Sequence, residues 1–226
     1  MVYILQIDTS GNEGRVILAA DGVPVATEIN TNSRDHAAAI NGMIEKVLAT
    51  AGISLEQVDA FAVCAGPGSY TGLRIGLATA KGFCYALNKP LLLQNKLTLL
   101  AWQTYNRLKN EDSTVYKRII SILTAREKEY FTATYDSNFN TDMEPVHVTE
   151  NELLQEIIKN DENAYVTGKI DPEVLKSNIY PVYYHEDEYI DAGMWALYVF
   201  MSYKRHEFAV LSTSEPFYLK QVFINK

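Results

Sequence analysis

The chain has few cysteines and lacks long apolar runs, and these absences argue against several classes of protein. Only two of its 226 residues are cysteine. Cys64 and Cys84 lie inside apolar segments, which is typical of small buried side chains in a reducing compartment rather than of a disulfide framework. No apolar run approaches the roughly 20 residues of a membrane-spanning helix. The N-terminal residues carry no basic flank and reach Asp8 early, unlike a signal peptide. We expect a cytoplasmic protein without a membrane partner.

Basic residues are also scarce relative to acidic ones. The chain has 20 Lys and Arg against 28 Asp and Glu, a formal net charge of −8. A protein that holds nucleic acid by itself usually presents a basic face. Direct binding of RNA or DNA by this chain is therefore disfavoured.

The residue patterns of metal sites and activated nucleophiles are missing as well. His36 lies in the first turn of a predicted helix, and a metal-binding pair on that helix would need a second histidine at position 40, which is Ile40. An exposed or interface histidine is the favoured interpretation. Ser69 lies in Gly-Pro-Gly-Ser-Tyr instead of the Gly-x-Ser-x-Gly of a nucleophile elbow. Hydrolase chemistry of the triad type is disfavoured.

Hydrophobic periodicity predicts an α/β protein of two related lobes, 1–109 and 110–226, with the polar region 110–114 between them. The last helix, about 191–205, is expected to pack back on the first lobe. In the first lobe we predict strands at Tyr3–Thr9, Arg15–Ala20, Val23–Ile29, Ala60–Ala65 and Leu91–Gln94, and helices from a Ser33 cap to Gly52, at Thr71–Leu87 and at Leu97–Leu108. In the second we predict strands at Val115–Thr124, Tyr130–Tyr135, near Val146 and at Ala164–Thr167, and a helix capped by Thr149 with Glu152 in a capping box.

The most informative segment runs from the strand at Ala60 through a glycine-rich loop into a helix. Glycines allow close backbone approach, and a helix N-terminus offers free N–H groups and a positive dipole end, so an anion could bind there. The alternative is only a tight connection.

Asp8, at the end of the first strand, could hold Mg²⁺ through water, or it could cap its own backbone in an Asx-turn. The candidate nucleotide-binding residues are Asp8, Thr9, Ser10, Gly66, Gly68, Ser69, Thr71 and Gly72.

The helix that follows the loop carries small residues every four positions. Gly72, Gly76 and Ala80 form a stripe that another helix could approach closely. A central core helix is the default interpretation, and a helix shared with a partner chain is the alternative.

Three motifs together resemble the TsaB family, also called YeaZ. They are Ile7–Ser10, Arg34–His36 and the run from Gly66 to Gly76. Beyond about residue 105 the resemblance rests on Ala125–Arg126, Glu129–Tyr130 and the tail 216–220, and Thr124 stands where the family has an aspartate. The resemblance implies an actin-like ATPase fold of the sugar kinase, Hsp70 and actin type. Such a fold has two related lobes, each with a mixed sheet flanked by helices.

The resemblance also implies a function. Members of the family are non-catalytic subunits required for threonylcarbamoylation of the adenosine beside the anticodon in tRNAs that read codons beginning with A. The implied partner is a TsaD-like paralogue, which holds a metal on a His-x-x-x-His helix and transfers the threonylcarbamoyl group. A TsaE-like ATPase binds the pair, and tRNA is contacted only indirectly. This chain would then require no cofactor, ATP and metal would belong to the partner subunits, and the candidate nucleotide-binding residues would be vestigial.

The family's partner surface is formed by the first helix and the helix after the glycine loop. Periodicity maps it here onto His36, Ile40, Met43, Ile44, Val47, Leu73, Leu77, Lys81 and Tyr85. An apolar face of this kind, without its partner, favours self-association, so we expect a homodimer when the chain is isolated.

Two other hypotheses remain open at this point. The chain could be an autonomous nucleotide-dependent small-molecule kinase or ATPase that uses Asp8 and the glycine loop. A protease, a label attached to relatives of the family, has the least support because the chain shows neither a metal pair nor an activated nucleophile.

Overall fold

A computed structural model describes residues 1–32, 34–110, 118–158, 164–176, 183–187 and 189–219. Two compact units divide the chain. The first comprises Met1–Lys96 and Asp191–Phe217, and the second comprises Leu97–Ile190 and Tyr218–Lys226. The division falls after residue 96 instead of 109, and the last helix belongs to the first unit. Ser33, residues 111–117 and Lys220, to which the sequence assigned roles, lie outside the described residues.

Within the described residues, ten strands form two five-stranded sheets. They are β1 (Tyr3–Asp8), β2 (Gly14–Ala20), β3 (Val23–Asn30), β4 (Ala60–Gly66), β5 (Leu91–Asn95), β6 (Arg118–Arg126), β7 (Glu129–Asp136), β8 (Thr141–Thr149), β9 (Ala164–Lys169) and β10 (Tyr183–Glu186). The first sheet has the order β3-β2-β1-β4-β5, and the second has the order β10-β9-β6-β7-β8.

The helices are α1 (His36–Ala51), α2 (Tyr70–Leu87), α3 (Lys96–Asn110), α4 (Glu150–Glu152), α5 (Pro172–Lys176) and α6 (Ala192–Lys204). A 3-10 turn lies at Leu55–Gln57, and α4 continues into a π-helical turn at Leu153–Ile158. None of the helices in the described parts of the chain is long and apolar enough to cross a membrane.

The two sheets repeat one topology. On one side of the central β1, β2 pairs antiparallel with β1, and β3 pairs antiparallel with β2. On the other side, β4 pairs parallel with β1, and β5 pairs parallel with β4. The second sheet repeats this arrangement around β6. Strands β7 and β8 extend from one side of β6 through antiparallel pairs, and β9 and β10 extend from the other side through parallel pairs. The equivalent strands β4 and β9 even carry glycines of matching conformation near their ends, Gly66 at φ 112° and Gly168 at φ 111°. The duplicated mixed-sheet fold that the sequence indicated is confirmed.

The helix ends follow from local chemistry. Helix α1 ends at Gly52, whose left-handed conformation lets its N–H bond back to the last turn. Helix α2 begins after Ser69, whose side chain accepts a hydrogen bond from the Gly72 N–H, and ends at a left-handed Asn88. The predicted capping box of Thr149 and Glu152 is present at α4.

The core of the first unit lies between its sheet and two helices. Leu5, Ile7, Val16 and Leu18 of the sheet pack against the apolar faces of α1 and α2. Helix α6 covers the opposite face, where Trp195 is its largest buried side chain. The second unit has its own core, built on Ile119, Ile120 and Ile122 of β6.

Some elements differ from the sequence prediction. The strand expected to start at Val115 is described from Arg118, and the short strand near Val146 is the nine-residue β8. Two elements of the second unit, α5 and β10, were not predicted. Both are short, and the pattern of β10 is mostly exposed, so neither shows the apolar periodicity on which the prediction depended.

Candidate functional site

The parallel strands of the first sheet, β1, β4 and β5, end at one edge, which is where ligands of such sheets bind. Asp8, Thr9 and Ser10 leave β1 at this edge and are all buried. The Asp8 Oδ1 atom accepts a hydrogen bond of 2.8 Å from the Ser10 N–H. The carboxylate therefore forms the Asx-turn that was one of its two interpretations.

The glycine-rich loop packs directly on the backbone that follows β1. A β-carbon at Gly68 would lie 2.3 Å from the Ser10 carbonyl oxygen, and one at Gly72 would lie 1.9 Å from the Thr9 carbonyl oxygen. Real β-carbons do not approach other atoms so closely. Two of the three loop glycines are thus required by the approach of two backbone segments.

Hydrogen bonds close the same contact. The Ser69 N–H donates to the Ser10 carbonyl oxygen at 2.8 Å, and the Thr9 hydroxyl donates to the Gly72 carbonyl oxygen at 2.7 Å. The N–H groups of Gly72 and Leu73 are bonded to Ser69. At the start of α2, the Ser69 and Gly72 N–H groups are therefore bonded within the chain, and the Leu73 N–H makes the first hydrogen bond of the helix.

The small-residue stripe of α2 also faces inward. Gly72, Gly76 and Ala80 are buried, and a β-carbon at Gly76 would lie 2.5 Å from the Thr9 hydroxyl oxygen. The stripe lets α2 lie close to β1, so the interpretation as a core helix is confirmed and the partner-helix alternative is wrong for this stripe.

Lys96, which the sequence reasoning missed, places a buried cation at the same edge. Its side chain follows β5 and is 6% exposed, and its Nζ donates to the Ser10 hydroxyl at 3.2 Å. The Cys64 thiol lies 3.7 Å from that hydroxyl. Burial raises the pKa of Cys64 to about 12, an effect that Asp8 reinforces and Lys96 opposes. The available sequence signal was weak, a lysine directly after a buried parallel strand.

His36 is not the exposed histidine that the sequence suggested. It is 5% exposed, its Nε2 lies 3.3 Å from the Gly11 carbonyl oxygen, and its ring packs against Gly14. The histidine therefore fixes the start of α1 against the turn between β1 and β2. Among the described residues, no group of three His, Cys, Asp or Glu side chains could hold a metal ion.

Most residues of the partner surface mapped from periodicity lie in the core of the first unit. Ile40, Met43, Ile44 and Val47 of α1, together with Leu73 and Leu77 of α2, are at most 7% exposed. Apolar residues that share a helix face normally point toward their own domain's core, and these do. Lys81 donates to the Ser214 carbonyl oxygen at 3.0 Å, while Tyr85 is 84% exposed. Of the nine residues mapped from periodicity, only Tyr85 has a largely exposed side chain.

A different set of residues covers the outside of these two helices. We call it the outer α1/α2 face, and it consists of Ala38, Asn41, Gly42, Glu45, Ala78, Gly82 and Tyr85, all exposed. Helices α1 and α2 contact each other. A β-carbon at Gly42 or Gly82 would have no atom within 4 Å. The face is thus small-residue, weakly charged and sterically open.

In the second unit, Thr124 of β6 stands where the resemblance to TsaB placed an aspartate. Here Thr124 donates its hydroxyl to the Lys169 carbonyl oxygen at 3.0 Å, joining β6 to β9. An ionised aspartate is only an acceptor and could not make this bond. Arg126 at the end of β6 and Lys128 in the turn that follows are exposed.

Two sheets of one topology, each with helices, define the class as the actin-like ATPase fold. The family model "TsaD: tRNA N6-adenosine threonylcarbamoyltransferase" matches residues 27–183, and the chain belongs to this family. YeaZ from Pseudomonas aeruginosa has the same fold, with a TM-score of 0.76, 22% identity, and coverage of 97% of this chain and 100% of that one.

Curated relatives carry two related names. A "tRNA threonylcarbamoyladenosine biosynthesis protein TsaB" from Haemophilus influenzae is 33% identical over 57% of this chain and 51% of its own, and one from Escherichia coli is 31% identical over 61% and 56%. A "tRNA N6-adenosine threonylcarbamoyltransferase" from Chelativorans sp. is 38% identical over 43% of this chain and 32% of its own. The chain thus matches about a third to a half of the length of these relatives. With the YeaZ fold, they confirm the resemblance to TsaB.

Proposed function

We propose that the chain is a non-catalytic interaction subunit required for threonylcarbamoylation of the adenosine beside the anticodon in tRNAs that read codons beginning with A. The observation that carries this proposal is the packing of Thr9 and Ser10 into the glycine loop. An enzyme of this fold would bind its nucleotide at that edge, and in this chain Thr9 and Ser10 pack closely against the loop there. Family membership and the TsaB relatives supply the pathway.

The proposed partner is a TsaD-like paralogue, bound at the outer α1/α2 face. The family's pairing uses the first helix and the helix after the glycine loop, and the exposed side of those helices is open in this chain. Helices whose facing residues are small can approach a partner closely. A TsaE-like ATPase would bind the pair.

The net charge of the chain and the absence of a second metal-binding histidine on α1 support assigning the catalytic roles to the partner subunits. Ile40 occupies the place of a second metal-binding histidine, and a net charge of −8 disfavours direct contact with tRNA. ATP, metal and tRNA contacts are therefore assigned to the partner subunits, and the chain requires no cofactor. Since the proposed substrate is tRNA, we assign the protein to the cytoplasm.

Reconstitution tests the proposal. Modification should require this chain together with a TsaD-like protein, a TsaE-like ATPase, the threonylcarbamoyl-adenylate precursor and tRNA. Gly82→Arg should abolish copurification with the TsaD-like protein and reduce modification, while Glu173→Arg, an exposed change in the second unit, should leave both unchanged. Modification at full rate without this chain would overturn the proposal.

The alternative is an autonomous kinase or ATPase. Titration calorimetry of the isolated chain with Mg-ATP separates the two hypotheses. We expect no heat of binding up to millimolar nucleotide and no phosphate release. Tight binding with turnover would establish the enzyme instead.

A further inference from the structure

The turn that follows β1 holds the starts of both helices that carry the outer α1/α2 face. The Gly11 carbonyl oxygen lies 3.3 Å from Nε2 of His36, the first residue of α1. The Ser10 carbonyl oxygen accepts a 2.8 Å hydrogen bond from the N–H of Ser69, the N-cap of α2. We call Ser10 and Gly11 the anchor turn. Two neighbouring carbonyl groups thus contact the starts of α1 and α2.

The two helices pack on different parts of the first sheet. Helix α1 packs mainly on β2 and β3, α2 packs mainly on β4, and the direct contact between the helices is smaller. Among the described residues, the N-cap Asp35 of α1 makes no side-chain capping hydrogen bond, so the start of α1 lacks a common local stabilisation. The position of one helix start relative to the other therefore depends on the anchor turn.

Lys96 holds the anchor turn through a buried charge. Its side chain is 6% exposed, and its Nζ donates a 3.2 Å hydrogen bond to the Ser10 hydroxyl. A β-carbon at Gly11 would lie 3.5 Å from the same Nζ, so the ammonium lies against both residues of the turn. Burying an ammonium costs free energy, and an apolar side chain of similar volume would fill the space without that cost. This cost indicates a role for the charge beyond packing.

We propose that Lys96 is a positioning residue for the outer α1/α2 face. By holding the anchor turn, Lys96 sets the start of α1 relative to the start of α2. The exposed residues of both helices are thereby kept in the arrangement that the partner binds. A partner that meets a fixed surface does not have to order it on binding, which favours affinity. The proposal rests on the function proposed above, because it concerns the face assigned there to the TsaD-like protein.

Amide hydrogen exchange of the isolated chain, followed by NMR, tests the effect of Lys96 on the helix starts. Lys96→Met removes the ammonium and keeps a side chain of similar length. The amides of Ala39 and Leu73, which are bonded in the first turns of α1 and α2, should exchange about tenfold faster or more. The amides of Ile53 and Lys89, bonded at the ends of the same helices, should keep their wild-type rates. Unchanged rates at the helix starts, or an equal rise at both ends, would overturn the proposal.

Partner affinity tests the consequence for binding. Calorimetry should show that Lys96→Met binds the TsaD-like protein about tenfold more weakly or worse. Its urea midpoint should stay close to that of wild type, because replacing a buried charge with an apolar side chain is often neutral or stabilising. Lys204→Met, which removes an exposed lysine of α6, is the matched control and should leave both quantities unchanged. Wild-type affinity in Lys96→Met, or a loss of affinity matched by a loss of stability, would overturn the proposal.

A double-mutant cycle tests whether Lys96 acts through Ser10. Ser10→Ala deletes the hydroxyl that Lys96 contacts. Ser10→Ala combined with Lys96→Met should therefore bind the partner no more weakly than Lys96→Met alone. Additive losses would show that Lys96 acts by another route and would overturn the proposal. If wild type itself bound no TsaD-like protein, the function proposed above would fail, whereas the exchange rates would still decide whether Lys96 fixes the helix starts.

Discussion

The carbonyl oxygen of Thr9 lies 1.9 Å from the point where a side chain at Gly72 would begin. Gly72→Ala must therefore displace either the end of β1 or the start of α2. We expect the free energy of unfolding to fall by about 3 kcal/mol or more, which is typical of severe overpacking. Urea unfolding measured by circular dichroism checks this.

Gly82→Ala in the same helix is the matched control. Its β-carbon would meet no atom within 4 Å, so alanine should raise the free energy of unfolding by about 0.5–1 kcal/mol through its better helix propensity. Equal effects of the two substitutions would contradict the packing of the loop on β1.

The second unit should show the same dependence at Gly168. A β-carbon there would lie 2.0 Å from the Ile122 carbonyl oxygen, and φ is +111°, a conformation that other residues rarely adopt. We expect Gly168→Ala to destabilise the protein by about 3 kcal/mol or more. Gly42→Ala, in open space on α1, is the control. An unchanged urea midpoint for Gly168→Ala would refute this prediction.

Hydrophobic periodicity predicted the helices, but it did not predict which residues on their surfaces are available to a partner. The spacing of Ile40, Ile44 and Val47 correctly predicted an amphipathic α1, because apolar residues recur with the helical period. The same residues were then assigned to a partner, although a helix on a sheet must first cover its own core. The exposure of small residues such as Gly82 depends on how α1 and α2 pack together. The residue pattern of a single helix does not contain that information.

The ligand edge illustrates a different limit. The sequence showed glycines between a strand and a helix, and both an anion site and a tight connection fit that pattern. The choice depends on the distance between Thr9 and Gly72, residues 63 positions apart. The sequence did not predict the role of Lys96 for a related reason. A single lysine is normally exposed to solvent, and this one is buried only by the tertiary fold.

The corrected assignment of faces predicts opposite outcomes for two residues of the original surface. Ile44 is 3% exposed, so Ile44→Ala should cost about 2–5 kcal/mol of unfolding free energy. Tyr85 is 84% exposed, so Tyr85→Ala should change it by less than about 0.5 kcal/mol. Tyr85→Ala should nevertheless weaken copurification with a TsaD-like protein. If Tyr85→Ala lowered the urea midpoint as much as Ile44→Ala, the assignment of faces would be wrong.

The two thiols should be inert in the folded protein. Cys64 and Cys84 are both buried, and burial raises the pKa of each to about 12, so neither is a thiolate at neutral pH. We expect Ellman's reagent at pH 8 to label both only after addition of denaturant. Rapid labelling of the native chain would contradict the burial of these side chains.

Cys64 should also make stability depend on pH in the alkaline range. Its pKa is about 12 when folded and 9.0 ordinarily. Between these values the folded chain keeps the proton that the unfolded chain has lost, so the folded state binds more protons and the free energy of unfolding falls as pH rises. Cys64→Ala removes this contribution. Its urea midpoint should therefore fall less than that of wild type between pH 8 and pH 10, whereas between pH 6 and pH 8 the two midpoints should change in parallel. An equal alkaline loss in both proteins would show that the Cys64 thiol is not held protonated by the fold.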